Sequence, residues 1–114
     1  MSFPRRGEVY WVRLDPTIGS EIAKARPSVV ISNDIGNQYA ARVIIAPIST
    51  GGTDKVYPFE VLLQAGEGGL RQRSKALLDQ IRTVDKSRLE RYVGALDQAR
   101  LDEINRAIRL SLAV

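Results

Sequence analysis

Arg26 is locked against Pro27 in the stretch "EIAKARPSVVIS", where a polar loop meets an apolar run. A guanidinium stays charged at every accessible pH and offers five donors in a planar fork, a shape suited to phosphate. Pro27 restricts Arg26 to extended backbone, which fixes the root of its side chain. A solvated arginine at the entrance to a strand would read the same way. A second group is Ser49 and Thr50 in "APISTGGT", two hydroxyls between an apolar run and a pair of glycines. Hydroxyls beside flexible backbone can approach a phosphate or an oxyanion closely. Ordinary turn chemistry at a strand end uses the same residues. Asp79 and Gln80 in "LLDQIRTVD" sit among apolar neighbours. A carboxylate there can act as a base, hold an arginine, or join an ion pair that orients a strand.

Absences narrow the chemistry further. The 114 residues include no cysteine and no histidine. That removes disulfides, thiolate nucleophiles, the commonest zinc ligands, the commonest general base and the Ser-His triads. Catalysis has to run on carboxylates, arginine, lysine, tyrosine and hydroxyls, with no metal site and no cofactor expected. A formal net charge of +4 favours a polyanionic partner. No P-loop, dinucleotide fingerprint or HExxH motif occurs. "GEGG" at Gly66 to Gly69 lacks the flanking strand and helix of a nucleotide loop and reads as a hairpin turn. No apolar run approaches the roughly 18 residues that cross a bilayer. Nor does an apolar segment follow the arginines of "MSFPRRGEV", so no membrane and a cytoplasmic location are expected.

The elements that must position these groups are short. The length allows one compact domain, residues 1–114, with a single core. "EVYWVRL" (Glu8 to Leu14) alternates as a strand, and Asp15 to Arg26 has no period and reads as a loop. Pro27 to Ser32 and Arg42 to Ser49 are apolar enough to be buried strands, joined through a turn or one helical turn. Lys55 to Leu63 reads as a strand whose Pro58 marks an edge or a bulge. "SKALLDQIRTVD" makes two short strands or a bent one. The period then changes: Asp97 caps a helix with apolar positions Leu101, Ile104, Ile108 and Leu112. Five or six short strands and one C-terminal helix give a mainly β chain, a small, partly open antiparallel barrel with the helix packed on it.

Taken in order, "RRGEVYWVRLDP", "GSE", "ARPSVVISND", "VIIAPIST", "LLDQIRTVD" and the terminal helix resemble the MazF/PemK family of toxin endoribonucleases, from about Arg5 to Leu112. The resemblance implies an SH3-like barrel, a symmetric homodimer, and metal-independent cleavage of single-stranded RNA at short sequences. In that chemistry the ribose 2′-hydroxyl attacks the adjacent phosphorus, leaving a cyclic phosphate and a 5′-hydroxyl. It also implies a cognate antitoxin that inhibits through a segment folded along the dimer groove. Arg26 matches the family's catalytic arginine, and Ser49 falls where most members have threonine, with Thr50 next in line to substitute. Ser20 and Glu21 match loop positions that contact RNA, and Asp79 and Gln80 match an acidic–Gln pair at the substrate groove. Lys24 would join them as the loop Asp15 to Ala25 closes over RNA. Some relatives carry a second arginine where this chain has Leu77. Two other readings stay open from sequence: a CcdB-like toxin that binds a topoisomerase, and a non-catalytic RNA-binding barrel.

Overall fold

The computed structural model describes residues 2–114. Its elements run β1 (Glu8–Arg13), β2 (Ala25–Val30), α1 (Asp34–Tyr39), β3 (Arg42–Ser49), β4 (Glu60–Leu63), β5 (Ser74–Leu77), β6 (Arg82–Asp85), β7 (Leu89–Ala95) and α2 (Gln98–Leu112). The hydrogen-bonded path is β4-β5-β3-β2-β1-β7, with β6 added beside β3. Every pairing is antiparallel, and the path is open, with β4 and β7 at its ends. A mainly antiparallel sheet followed by a helix is what the periodicity called for.

The apolar run after Pro27 has a physical reason. Successive strand residues point to opposite faces. Val29 and Ile31 enter one core cluster while Val30 enters another. The chain is therefore apolar on both faces there. The first cluster joins Val9, Ala46, Ile48, Leu63 and Leu78 to Ile104 and Ala107 of α2. The second gathers Val12, Leu14, Val43, Ile45 and Val84. Asp97 caps α2 as expected, its Oδ1 accepting from the Arg100 amide at 3.0 Å. Leu112, expected on the same stripe, is 53% exposed. Each four-residue step overshoots a helical turn by roughly 40°, so Ala107 faces the core and Leu112 has rotated off it.

Three further expectations are corrected. Arg26 lies inside a strand, since β2 begins at Ala25. The strand expected over Lys55 to Leu63 shortens to Glu60–Leu63. Pro58 has no N–H to give a neighbour, and the Glu60 carboxylate takes the Tyr57 amide at 3.0 Å, so the chain turns there. Strand β7 was not foreseen, which raises the total to seven.

The "GEGG" turn does join β4 to β5, and it also packs across β7. Gly69 has φ +74°, and a Cβ on it would stand 2.0 Å from the Val93 carbonyl oxygen. No other residue fits so close an approach.

Candidate active site

Arg26 stands opposite Val12 of β1. Its Nε donates to the Ala23 carbonyl at 2.9 Å. That bond braces the guanidinium and leaves both Nη groups without a protein acceptor among the described residues. Arg26 is half-buried and borders a cleft of about 380 Å³. Thr50 borders the same cleft, as do Arg71 and Gln72 from the chain after the glycine turn, and Trp11 and Arg91. Arg71 and Arg91 are exposed and have no carboxylate within salt-bridge distance among the described residues. Arg71 and Arg91 give this hollow a positive field that attracts an anion.

Ser49 ends β3 opposite Lys75. Extending the β2–β3 register past Ser28 and Pro47 brings Arg26 level with Ser49. Its Oγ accepts from the Gly51 amide at 3.1 Å, which leaves the hydroxyl proton free to donate. Ser49 does not line the cleft, whereas Thr50 does.

Asp79 and Gln80 lie on the turn between β5 and β6. With Glu21 and Ile22 they border a second hollow of about 190 Å³. Gln80 Oε1 accepts from the Ile22 amide at 2.9 Å, which ties this turn to the long β1–β2 loop. Exposed Asp79 forms no salt bridge among the described residues, so the strand-orienting ion pair is not found. The foot of the loop is pinned as well: the Asp15 carboxylate accepts from the Lys24 amide at 3.0 Å. Ser20 and Lys24 are exposed and line neither hollow.

The expected residues thus fall into three groups, with Ser20, Lys24 and Ser49 bordering neither hollow. Arg26 and Thr50 share the cleft; Glu21, Asp79 and Gln80 share the smaller hollow. Sequence reasoning did not single out Arg71, Gln72, Trp11 or Arg91. Its one available signal was the basic "RQR" following "GEGG".

Among the described residues no three His, Cys, Asp or Glu side chains cluster as metal ligands do. Altered proton affinities belong to structural pairs outside both hollows. Burial and the Glu8 carboxylate push the Tyr10 phenol up to about 12. The Arg100 guanidinium holds the Glu67 carboxyl below the usual carboxylate range, and the Ser87 amide does the same for Asp85.

Residues 5–112 match the family described as PemK-like, MazF-like toxin of type II toxin–antitoxin systems. The chain belongs to this family. It is 39% identical over 110 residues to endoribonuclease EndoA of Bacillus subtilis, covering 96% of this chain and 95% of that one. It is 42% identical over 111 residues to endoribonuclease MazF of Staphylococcus saprophyticus, covering 96% and 92%. The fold matches MazF from Deinococcus radiodurans with TM-score 0.85 and 26% identity over 100% of both chains. It also matches a mycobacterial endoribonuclease in complex with its cognate antitoxin, with TM-score 0.81, 26% identity and coverage of 97% and 96%. Some motif residues in this MazF-like chain have structural duties. The Arg6 amide donates to Asp34 at 2.7 Å, and its guanidinium reaches the Ile31 carbonyl and Asn105, at 2.9 and 2.6 Å. Asn33 caps α1 by accepting from the Gly36 amide at 2.7 Å. "RRGE" and "ND" therefore staple both helices to the sheet.

Proposed function

We propose that this chain is the toxin of a type II toxin–antitoxin system and cleaves single-stranded RNA at short sequences without a metal. The observation that carries the reading is the shared cleft. Arg26 offers two uncommitted Nη groups and borders, with Thr50, a cleft flanked by Arg71 and Arg91. In transesterification the 2′-hydroxyl oxygen loses its proton and bonds to phosphorus, the P–O5′ bond breaks, and the departing 5′-oxygen takes up a proton. A 2′,3′-cyclic phosphate and a 5′-hydroxyl result. Negative charge gathers on the phosphorane, where a preorganised guanidinium acts most strongly. Arg26 neutralises that charge, and the Thr50 hydroxyl donates to a nonbridging oxygen. Glu21, Asp79 and Gln80 border the RNA path, with Ser20 and Lys24 on the loop above it.

The finer fold reading is an SH3-like small barrel. Its support is the open path whose two ends approach through the glycine turn packed on β7. The functional unit is a two-fold homodimer whose interface completes an RNA channel longer than one cleft. Its inhibitor is an antitoxin with an acidic segment that orders on binding and fills the same path.

Incubating RNA with EDTA-treated protein tests the activity. The expected result is a discrete ladder with 5′-hydroxyl ends. Binding without cleavage leaves a non-catalytic module, and neither outcome leaves the topoisomerase reading. Light scattering at micromolar concentration should give about twice the 12.6 kDa chain mass, and saturating antitoxin should abolish RNA binding.

A further inference from the structure

Across from Trp11 the β1–β7 ladder is irregular. Tyr10 pairs with Tyr92 and Val12 with Leu89, so Glu90 and Arg91 together oppose one residue. This two-against-one count is a β-bulge in β7, a device that re-aims a side chain. Here it separates the two charges. Glu90 meets Arg13 at 3.4 Å, while the Arg91 guanidinium lies over the Trp11 ring, 4.9 Å from its centroid. Trp11 is half-buried and Arg91 is exposed, so the stack has an inner face fixed in the fold and an outer face open to solvent. Both residues line the cleft that holds Arg26 and Thr50. Trp11 is also the register partner of Pro27, the residue after Arg26 in β2.

We infer that the Trp11–Arg91 stack is a base-binding subsite, taking one unpaired nucleobase of the RNA on the outer face of Arg91. The inference rests on the RNA-cleaving reading proposed above. Unstacked bases are held on arginine planes as readily as on aromatic rings, and arginine adds charge attraction to the same contact. The cleft volume of about 380 Å³ lies within the roughly 300–1,000 Å³ of ligand clefts. A lone positive charge serving a phosphate would need neither the indole beneath it nor the bulge that carries it there.

Trp11 is the chain's one tryptophan, so its emission reports on the stack. An RNA carrying 2′-deoxyribose at the cleaved position should bind wild-type protein and change that emission. Arg91→Ala should weaken binding roughly 10- to 100-fold. Arg91→Lys keeps the charge but not the plane and should recover little of the loss. In a scan of RNAs each lacking one base, a single position should bind wild-type and Arg91→Ala protein equally. Full rescue by lysine, or an equal effect of Arg91→Ala at every abasic position, would overturn the subsite and make Arg91 a phosphate contact. If wild-type protein cuts RNA and these results still fail, only the subsite falls. If it neither binds nor cuts RNA, the functional reading falls with it.

Discussion

Lys75 of β5 and Glu60 of β4 form an ion pair 2.9 Å long whose side chains are only 11% and 8% exposed. The same ammonium donates to the Lys55 carbonyl at 3.3 Å, and the same carboxylate holds the Tyr57 amide at 3.0 Å. Lys75 also lies opposite Ser49. One buried pair therefore fastens the return of the segment that leaves β3 at Ser49 and carries Thr50 to the cleft.

Removing one partner strands a buried charge. Lys75→Met should lose about 3 kcal/mol of folding free energy at neutral pH, and Glu60→Met a similar amount. Replacing both with methionine should recover more than half of either loss, because desolvation then vanishes along with the attraction. Urea denaturation of the three variants measures this. Single variants within about 1 kcal/mol of wild type would show that water reaches the pair.

Arg26→Ala should lower the single-turnover cleavage rate roughly 100- to 1000-fold, or about 3–4 kcal/mol, while weakening RNA binding far less. Arg26→Lys keeps the charge without the fork and should restore part of the rate. Circular dichroism and dimer size must match wild type, because Arg26 lies within a strand. A folded, dimeric Arg26→Ala that cuts at nearly the wild-type rate would remove the arginine from the chemistry.

The sheet and its helix were legible because Tyr10, Val12 and Leu14, like Leu101, Ile104 and Ile108, keep one period along their segments. Strand β7 was not, because the bulge at Glu90 and Arg91 breaks the period-two pattern that reveals a strand. The same bulge hid Arg91 from the site. Arg26 could be read locally, through its proline. The division between Ser49 and Thr50 could not, since it depends on which of the two borders the cleft. Nor could the meeting of Asp79 and Gln80 with Glu21, which depends on where the β5–β6 turn lands.

That division gives a ranking of the hydroxyls. Thr50→Ala should slow cleavage roughly 10- to 100-fold with little change in stability, as expected for one lost donor to the phosphorane. Ser49→Ala should act mainly on folding, costing about 1 kcal/mol through the Gly51 amide it leaves without an acceptor. Measuring single-turnover rate and urea midpoint on both variants separates the effects. A rate loss larger for Ser49→Ala would reverse the assignment.

The glycine turn that borders the cleft is also tied to α2. Arg100 clasps Glu67 with two bonds, Nε to Oε2 at 2.8 Å and Nη2 to Oε1 at 2.9 Å. The bonds from Arg100, with the Gln64 amide adding to them, hold the Glu67 carboxyl below its ordinary value in the folded chain. A lowered folded value means that the unfolded chain takes up the proton first as pH falls. The clasp's contribution is therefore complete above the unfolded glutamate range near 4.3, shrinks below it, and is gone beneath the folded value. Glu67→Gln should be less stable than wild type by about 1 kcal/mol or less at pH 7, the scale of a partly exposed pair. That gap should stay level down to about pH 5 and close towards pH 3. Urea midpoints of both proteins across this range provide the test, and a gap that persists unchanged at pH 3 would mean the pair is not what joins the turn to the helix.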